Sequence, residues 1–246
     1  MKTKTLFSVG VVCGLWVCSG WAQTNAPRIL LCPQPVTSEC ASSNTGWVVL
    51  NAIVEDSDGD ALTAVWLVNG QPALTNDIAA SAPGTTNTAT LSFTNVYALG
   101  TNQVTIWVTD GTTEPIPCPP TLVVIQDTTP PVIQRVVANP KTLWPPNHKM
   151  VLVRFRAITS DDCDPNPTSR IVAIQSNEPV KGKGSGNTSP DWARAGSMSA
   201  YLRAERSGRG HGRTYTVTIE CRDASGNAAT KDVRVCVPHD QGHQSW

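Results

Sequence analysis

From about residue 45 onward, apolar side chains recur at every second position in short runs that Gly, Pro, Asn and Asp interrupt. Val48, Leu50, Ala52 and Val54 alternate with Trp47, Val49, Asn51 and Ile53. Leu62, Ala64, Trp66 and Val68 follow, then Ala89, Leu91 and Phe93, then Val104, Ile106 and Val108, then Leu122 and Val124. A period of two places successive side chains on opposite faces of an extended strand, whereas a helix needs 3.6. Turn dipeptides separate the runs: Asp58-Gly59, Asn69-Gly70, Leu99-Gly100 and Asp110-Gly111. The fold class expected is all-β. Six or seven short strands in about 100 residues make an Ig-like sandwich, with Trp66 filling the space between its sheets.

The pattern stops at Asp127-Thr128-Thr129-Pro130-Pro131 and then begins again. Two prolines withhold backbone donors and stiffen the chain, which suits a junction between domains. Val132 to Ala138, Met150 to Ala157 and Ile171 to Gln175 read as strands, with Val151, Val153 and Phe155 on one face of the second. Ala200, Leu202 and Ala204, then Tyr215, Val217 and Ile219, then Val233, Val235 and Val237 complete the set. The expected organisation is two tandem β-sandwiches, residues 23–127 and 132–238, with a Thr/Pro hinge at 128–131 and a tail at 239–246. Trp144-Pro145-Pro146 reads as a rigid corner. Asn177 to Ser197, rich in Gly, Lys and Ser, shows no clean alternation and reads as a long functional or mobile connection.

At the N-terminus Lys2 and Lys4 precede an apolar run from Leu6 to Val17, and Gly20 and Ala22 supply small residues for cleavage after Ala22. This is the layout of a secretory signal peptide at residues 1–22. A lipoprotein variant would modify Cys18, but Leu15-Trp16-Val17 is bulky for such a signal. The mature chain is expected to be secreted or at the cell surface, the periplasm included, with no transmembrane segment.

Charged residues make up 15% of the chain, and 19 Lys/Arg balance 19 Asp/Glu. Neutrality argues against a nucleic-acid partner and against a polybasic membrane binder. It also hides a split. Residues 23–127 hold one basic residue, Arg28, against nine acids, a net of −8, while residues 128–246 carry a net of +6. The acidic half of one molecule could therefore dock on the basic half of another.

Several motifs carry a family likeness. Pro27-Arg28-Ile29-Leu30-Leu31-Cys32-Pro33, with Cys40 beyond it, resembles the opening of hyalin-repeat domains. Glu55-Asp56-Ser57-Asp58-Gly59-Asp60 followed by Trp66, and Leu99-Gly100-Thr101 leading into Val108-Thr109-Asp110-Gly111, resemble PKD-type Ig-like repeats. The second half resembles an Ig-like domain of secreted bacterial repeat proteins. It does so at Leu143-Trp144-Pro145-Pro146-Asn147-His148-Lys149-Met150, Ser176-Asn177-Glu178-Pro179-Val180, Arg203-Ala204-Glu205-Arg206-Ser207-Gly208 and Pro238-His239-Asp240-Gln241. Such a resemblance implies extracellular modules of adhesins or secreted enzymes, and it supplies no catalytic residues.

Six cysteines follow the expected cleavage site, three in each half, and an oxidising compartment favours their pairing. Cys32 and Cys118 lie near the first and last strands of the first sandwich, which are neighbours, so they are expected to pair. Cys163 and Cys221 lie at ends of parallel-running strands that meet at one pole, which suggests a second pair. Cys236 has the opposite parity to Val235 and Val237, which disfavours a Cys221–Cys236 bridge. Cys40 and Cys236 stay unassigned, and with odd numbers at least one cysteine per half is free or pairs outside it.

Three surfaces are candidate sites. Asp56, Asp58 and Asp60 could gather around Ca²⁺, although the spacing fails the EF-hand pattern; no other cofactor is expected. Arg203, Arg206, Arg209 and Arg213, with His211, could grip an anionic glycan or an acidic protein surface. Trp47 and Trp107 have outward parity and could stack on sugar rings. His239-x3-His243 sits on the tail. No catalytic constellation is apparent. The function expected is a non-catalytic adhesion, binding or spacer module at a bacterial surface, with an extracellular glycan or surface protein as partner. The alternatives are a carbohydrate-binding accessory to secreted hydrolases and a self-assembling surface subunit.

Overall fold

The computed structural model describes residues 25–82, 84–181 and 188–240. The expected signal peptide, Cys18 and His243 lie outside these residues. The chain is all-β. Its first half runs β1 (Arg28–Leu31), β2 (Val36–Glu39), β3 (Thr45–Asp56), β4 (Leu62–Val68), β5 (Gln71–Ile78), β6 (Asn87–Ala98), β7 (Gly100–Thr109), β8 (Ile116–Pro117) and β9 (Thr121–Gln126). The second half runs β10 (Val132–Asn139), β11 (Met150–Ser160), β12 (Thr168–Ser176), β13 (Trp192–Gly196), β14 (Ser199–Arg203), β15 (Gly212–Arg222) and β16 (Ala228–Pro238).

In the first half β1-β3-β6 form one sheet, and β2-β9-β7-β4-β5 form the other, with β8 beside β7. This two-sheet order is that of an Ig-like sandwich. Alternation becomes burial here: Val48, Leu50, Ala52 and Val54 of β3 face Trp66, Val104, Ile106 and Val108 across the core. Trp66 is fully buried and stacks on Phe93 at 5.0 Å, and its indole N–H donates to Asn76. Asn69 and Gly70, both at positive φ, turn β4 into β5, as Asn-Gly turns do in hairpins.

β9 departs from the expected phase: Val123 and Ile125 are buried, while Leu122 is exposed. Buried Thr121 sets this register, because its hydroxyl donates to the Pro33 carbonyl at 2.7 Å. β5 had no readable alternation because most of its side chains are exposed on a sheet edge.

The second half has sheets β10-β11-β14-β13 and β12-β15-β16 around Phe155, Ile171, Leu202, Tyr215, Val217, Ile219, Val235 and Val237. Part of the segment read as a long connection is strand β13, paired with β14. At the expected rigid corner the packing residue is Leu143, which is buried, whereas Trp144 is exposed.

The disulfides correct one expected pair. Cys32 bonds Cys118, but Cys163 bonds Cys40 rather than Cys221, and Cys221 and Cys236 are free. The cause is local. The Asp161 carboxylate accepts the N–H groups of Cys163 and Asp164 at 2.9 and 2.7 Å, and this turn delivers Cys163 into the core cluster of the first sandwich. Asn44 N–H donates to the Cys163 carbonyl at 2.9 Å. Cys221 is buried in its own sandwich, where its neighbours on the adjacent strands of the same sheet are Ser169 and Ala229.

The start of the Thr/Pro stretch is bonded to both sandwiches. Glu39 accepts the Thr128 N–H at 2.6 Å, and Asn227 donates to the Asp127 carbonyl at 3.0 Å.

Candidate functional site

The acidic turn follows β3. Asp56 is fully buried, and its Oδ1 accepts the N–H groups of Asp58 and Asp60 at 2.9 and 3.1 Å. Its Oδ2 is buried without a hydrogen-bond partner among the described residues. Gly59 closes the turn at φ +82°, where a Cβ would lie 2.4 Å from the Thr85 carbonyl oxygen, so only glycine fits. Carboxylate oxygens of Asp56, Asp58 and Asp60 lie within 4.8 Å of one another. Asp58 also accepts from the Asn25 backbone and side chain.

The arginine cluster does not form an open cradle. Arg213 is fully buried, and its guanidinium donates to Asp191, to the Tyr215 hydroxyl at 3.2 Å, to Glu178 at 3.3 Å and to the Pro179 carbonyl at 3.3 Å. Arg203 donates to the carbonyls of His148 and Pro190 and lies 3.6 Å from Asp191. Arg206 donates to the carbonyls of Pro238 and His239. Each spends its donors on the fold. Arg209 and His211 alone of the group are exposed.

The buried charges balance locally. Burial pushes the Arg213 guanidinium down, but Tyr215 and Asp191 outweigh it and hold it above its ordinary value. Burial pushes the Tyr215 phenol up to about 12, against the pull of Arg213. Beside this network Glu205, also fully buried, accepts from Thr188 and pairs with His148 Nδ1 at 2.8 Å. The arrangement is a structural polar core under β13 and the segment before it. In the sequence Glu178 and Asp191 read only as acids of a loop region and their pairing with Arg213 was missed, although one signal was present: Arg213 shares the inward parity of Tyr215, Val217 and Ile219.

The two indoles do not converge. Trp47 lies on the outer face of the β1-β3-β6 sheet, 62% exposed and paired across strands with Val96. Trp107 lies on the outer face of the opposite sheet, half-buried between Val65 and Pro117. Strand β8 pairs with β7 there and sets Pro117 beside the indole. A single sugar platform built from both is therefore ruled out.

A shallow cavity of about 610 Å³ lies at the same end of the second sandwich as Arg213, which lines it together with His211, Thr214, Cys236 and His239 among others. The Cys236 thiol there is 3.9 Å from the Thr214 hydroxyl.

No family model matches the chain, and no curated protein matches it in sequence. Among solved structures it is similar to extracellular domains 3–5 of Drosophila OTK, at 15% identity and a TM-score of 0.30, over 85% of this chain and 64% of that one. It thus spans a little less than two thirds of that structure. Fibronectin(III)-like modules of Clostridium thermocellum CbhA match 42% of this chain over 99% of theirs, at 15% identity and a TM-score of 0.29. Human protocadherin-24 EC1-2 matches at 16% identity and a TM-score of 0.30, over 87% of this chain and 97% of that one. The fold rests on the strand order, not on these likenesses. Two disulfides are at home in an oxidising, extracytosolic compartment. Among the described residues no helix is long and apolar enough to cross a membrane.

Proposed function

We propose that this chain is a secreted, non-catalytic module of the hyalin/PKD-like bacterial kind, acting as a stiff spacer and binding element at a cell surface. The Cys40–Cys163 bridge carries this reading, since a spacer that bears load or sets a distance gains from fixing the angle between its units. The Glu39–Thr128 and Asn227–Asp127 bonds support it. Solution scattering should give the oxidised chain one narrow distribution of inter-sandwich distances, broadened by a reductant. A broad distribution in the oxidised chain would sink the reading.

A second reading assigns Ca²⁺ to Asp56, Asp58 and Asp60. The buried, unpartnered Oδ2 of Asp56 favours it, because such an oxygen is costly without a cation or a donor. Thermal unfolding in Ca²⁺ tenfold above Kd should show on the order of 1 kcal/mol of added stability over EDTA. Asp56→Asn keeps the turn acceptor and should abolish that gain. An identical melting temperature with and without Ca²⁺ removes the site.

A further inference from the structure

A sheet edge presents unpaired backbone N–H and C=O groups, and proteins blunt such edges with charges, prolines or short strands. The edge strands β1, β2, β10, β12, β13 and β16 each carry a charged residue, and β5 carries Pro72 and Asp77. Two edges are capped outright: Lys231 donates to the carbonyls of Ile133 and Gln134 on β10, and Arg194 to that of Val172 on β12. β6 is the exception. It is twelve residues long, Asn87 to Ala98, with no charge and no proline, and among the described residues its one strand partner is β3. Its outward side chains Thr88, Thr90, Ser92, Thr94 and Val96 are exposed, and Trp47 and Val49 stand exposed beside them on β3.

We infer that β6 is an open docking edge whose occupant is β6 of a second copy, in an antiparallel, twofold pair. An edge of backbone donors and acceptors selects an extended polypeptide. Self-pairing suits this strand because no register sets like charges opposite each other. Centred on Ser92, it faces Thr90 with Thr94 and Thr88 with Val96, so Thr and Val side chains meet on one continuous outer face. Antiparallel pairing also keeps the acidic turns apart. Each turn lies at the Asn87 end, beside Asp56, and in this register Asn87 faces Tyr97 of the other copy, so the two turns are held about 34 Å apart along the strand, several screening lengths. The interface differs from acidic-on-basic docking, and the spacer reading does not depend on it.

Sedimentation equilibrium tests the pair. The oxidised mature chain should dimerise and stay dimeric when salt is raised. Thr90→Lys with Thr94→Lys sets lysines opposite one another at both symmetric positions and should weaken dimerisation roughly tenfold or more. Thr90→Lys with Thr94→Asp sets opposite charges across the interface and should restore it. These positions are exposed, so circular dichroism should confirm an unchanged fold in both variants. A chain that stays monomeric at the highest attainable concentration overturns the proposal. So does a dimer indifferent to the double lysine, or one that dissolves in salt.

Discussion

Replacing Arg213 by Ala should destabilise the second sandwich by about 3–5 kcal/mol, the range for stranding buried charge by removing its partner. Asp191 is fully buried, and the remaining cation near it, Arg203, is 3.6 Å away and already committed to the Pro190 and His148 carbonyls. Glu178 would lose its ion pair as well, keeping the Ser207 N–H at 2.8 Å. The expected reading in thermal denaturation is a fall of roughly 10 °C or more. Arg209→Ala, on the exposed loop, should stay within about 0.5 kcal/mol of the parent. Because a paired charge set can be exchanged for apolar groups at little cost, Arg213→Met with Asp191→Leu should recover part of the loss. Equal effects at Arg213 and Arg209 would mean that the buried network contributes nothing, and the cluster would again be a candidate anion cradle.

Arg213 also shows how far the sequence could be read. Strand parity was sound where a strand has one buried face: β3, β7 and β15 bury the residues their alternation marks, whereas in β4 the marked Val68 is half-buried and Val65, on the other phase, is buried. By that rule Arg213 points inward, but its charge and the glycines around it suggest an exposed loop. What decides the matter is the partner set, and Asp191 and Glu178 lie 22 and 35 residues away, brought in by tertiary packing. β9 fails for a related reason. With apolar residues at successive positions either phase would bury a valine, and the Thr121–Pro33 bond makes the choice. The acidic turn was legible because it is local: Asx-type bonds and one positive-φ glycine lie within five residues. The cysteines were half legible. Strand neighbourhood pairs Cys32 with Cys118, whereas pairing by parity considers one sandwich at a time and cannot see a bond between two. The odd count in each half showed only that one cysteine per half is free or pairs outside it, and a crossing bridge is one of those two outcomes.

That crossing bridge has the second large expected effect. Cys40→Ser with Cys163→Ser opens a loop spanning 123 residues, for which chain entropy predicts a loss of between 4 and 5 kcal/mol, or roughly 2–5 as native bridges behave. The loss should also change how the molecule unfolds. With the bridge in place, Cys163 packs in the core of the first sandwich, so neither half can unfold without disturbing the other. Without it the junction keeps the Glu39–Thr128 and Asn227–Asp127 hydrogen bonds, each worth about 0.5–1.5 kcal/mol. Those bonds are too weak to couple two cores of this size. Calorimetry should therefore show one transition for the oxidised chain and two for the double variant, with proteolysis gaining a cut near Thr128 and Thr129. Both cysteines must be replaced, because a lone thiol left at the junction could attack the remaining Cys32–Cys118 disulfide by thiol–disulfide exchange. Cys32→Ser with Cys118→Ser is the control, since that bridge lies within the first sandwich and leaves Cys40–Cys163 intact, so its loss should lower the melting temperature while a single transition is kept. If the Cys40/Cys163 variant still melts in one transition at the parent temperature, the polar junction is enough by itself, and the bridge does not set the geometry of the two sandwiches.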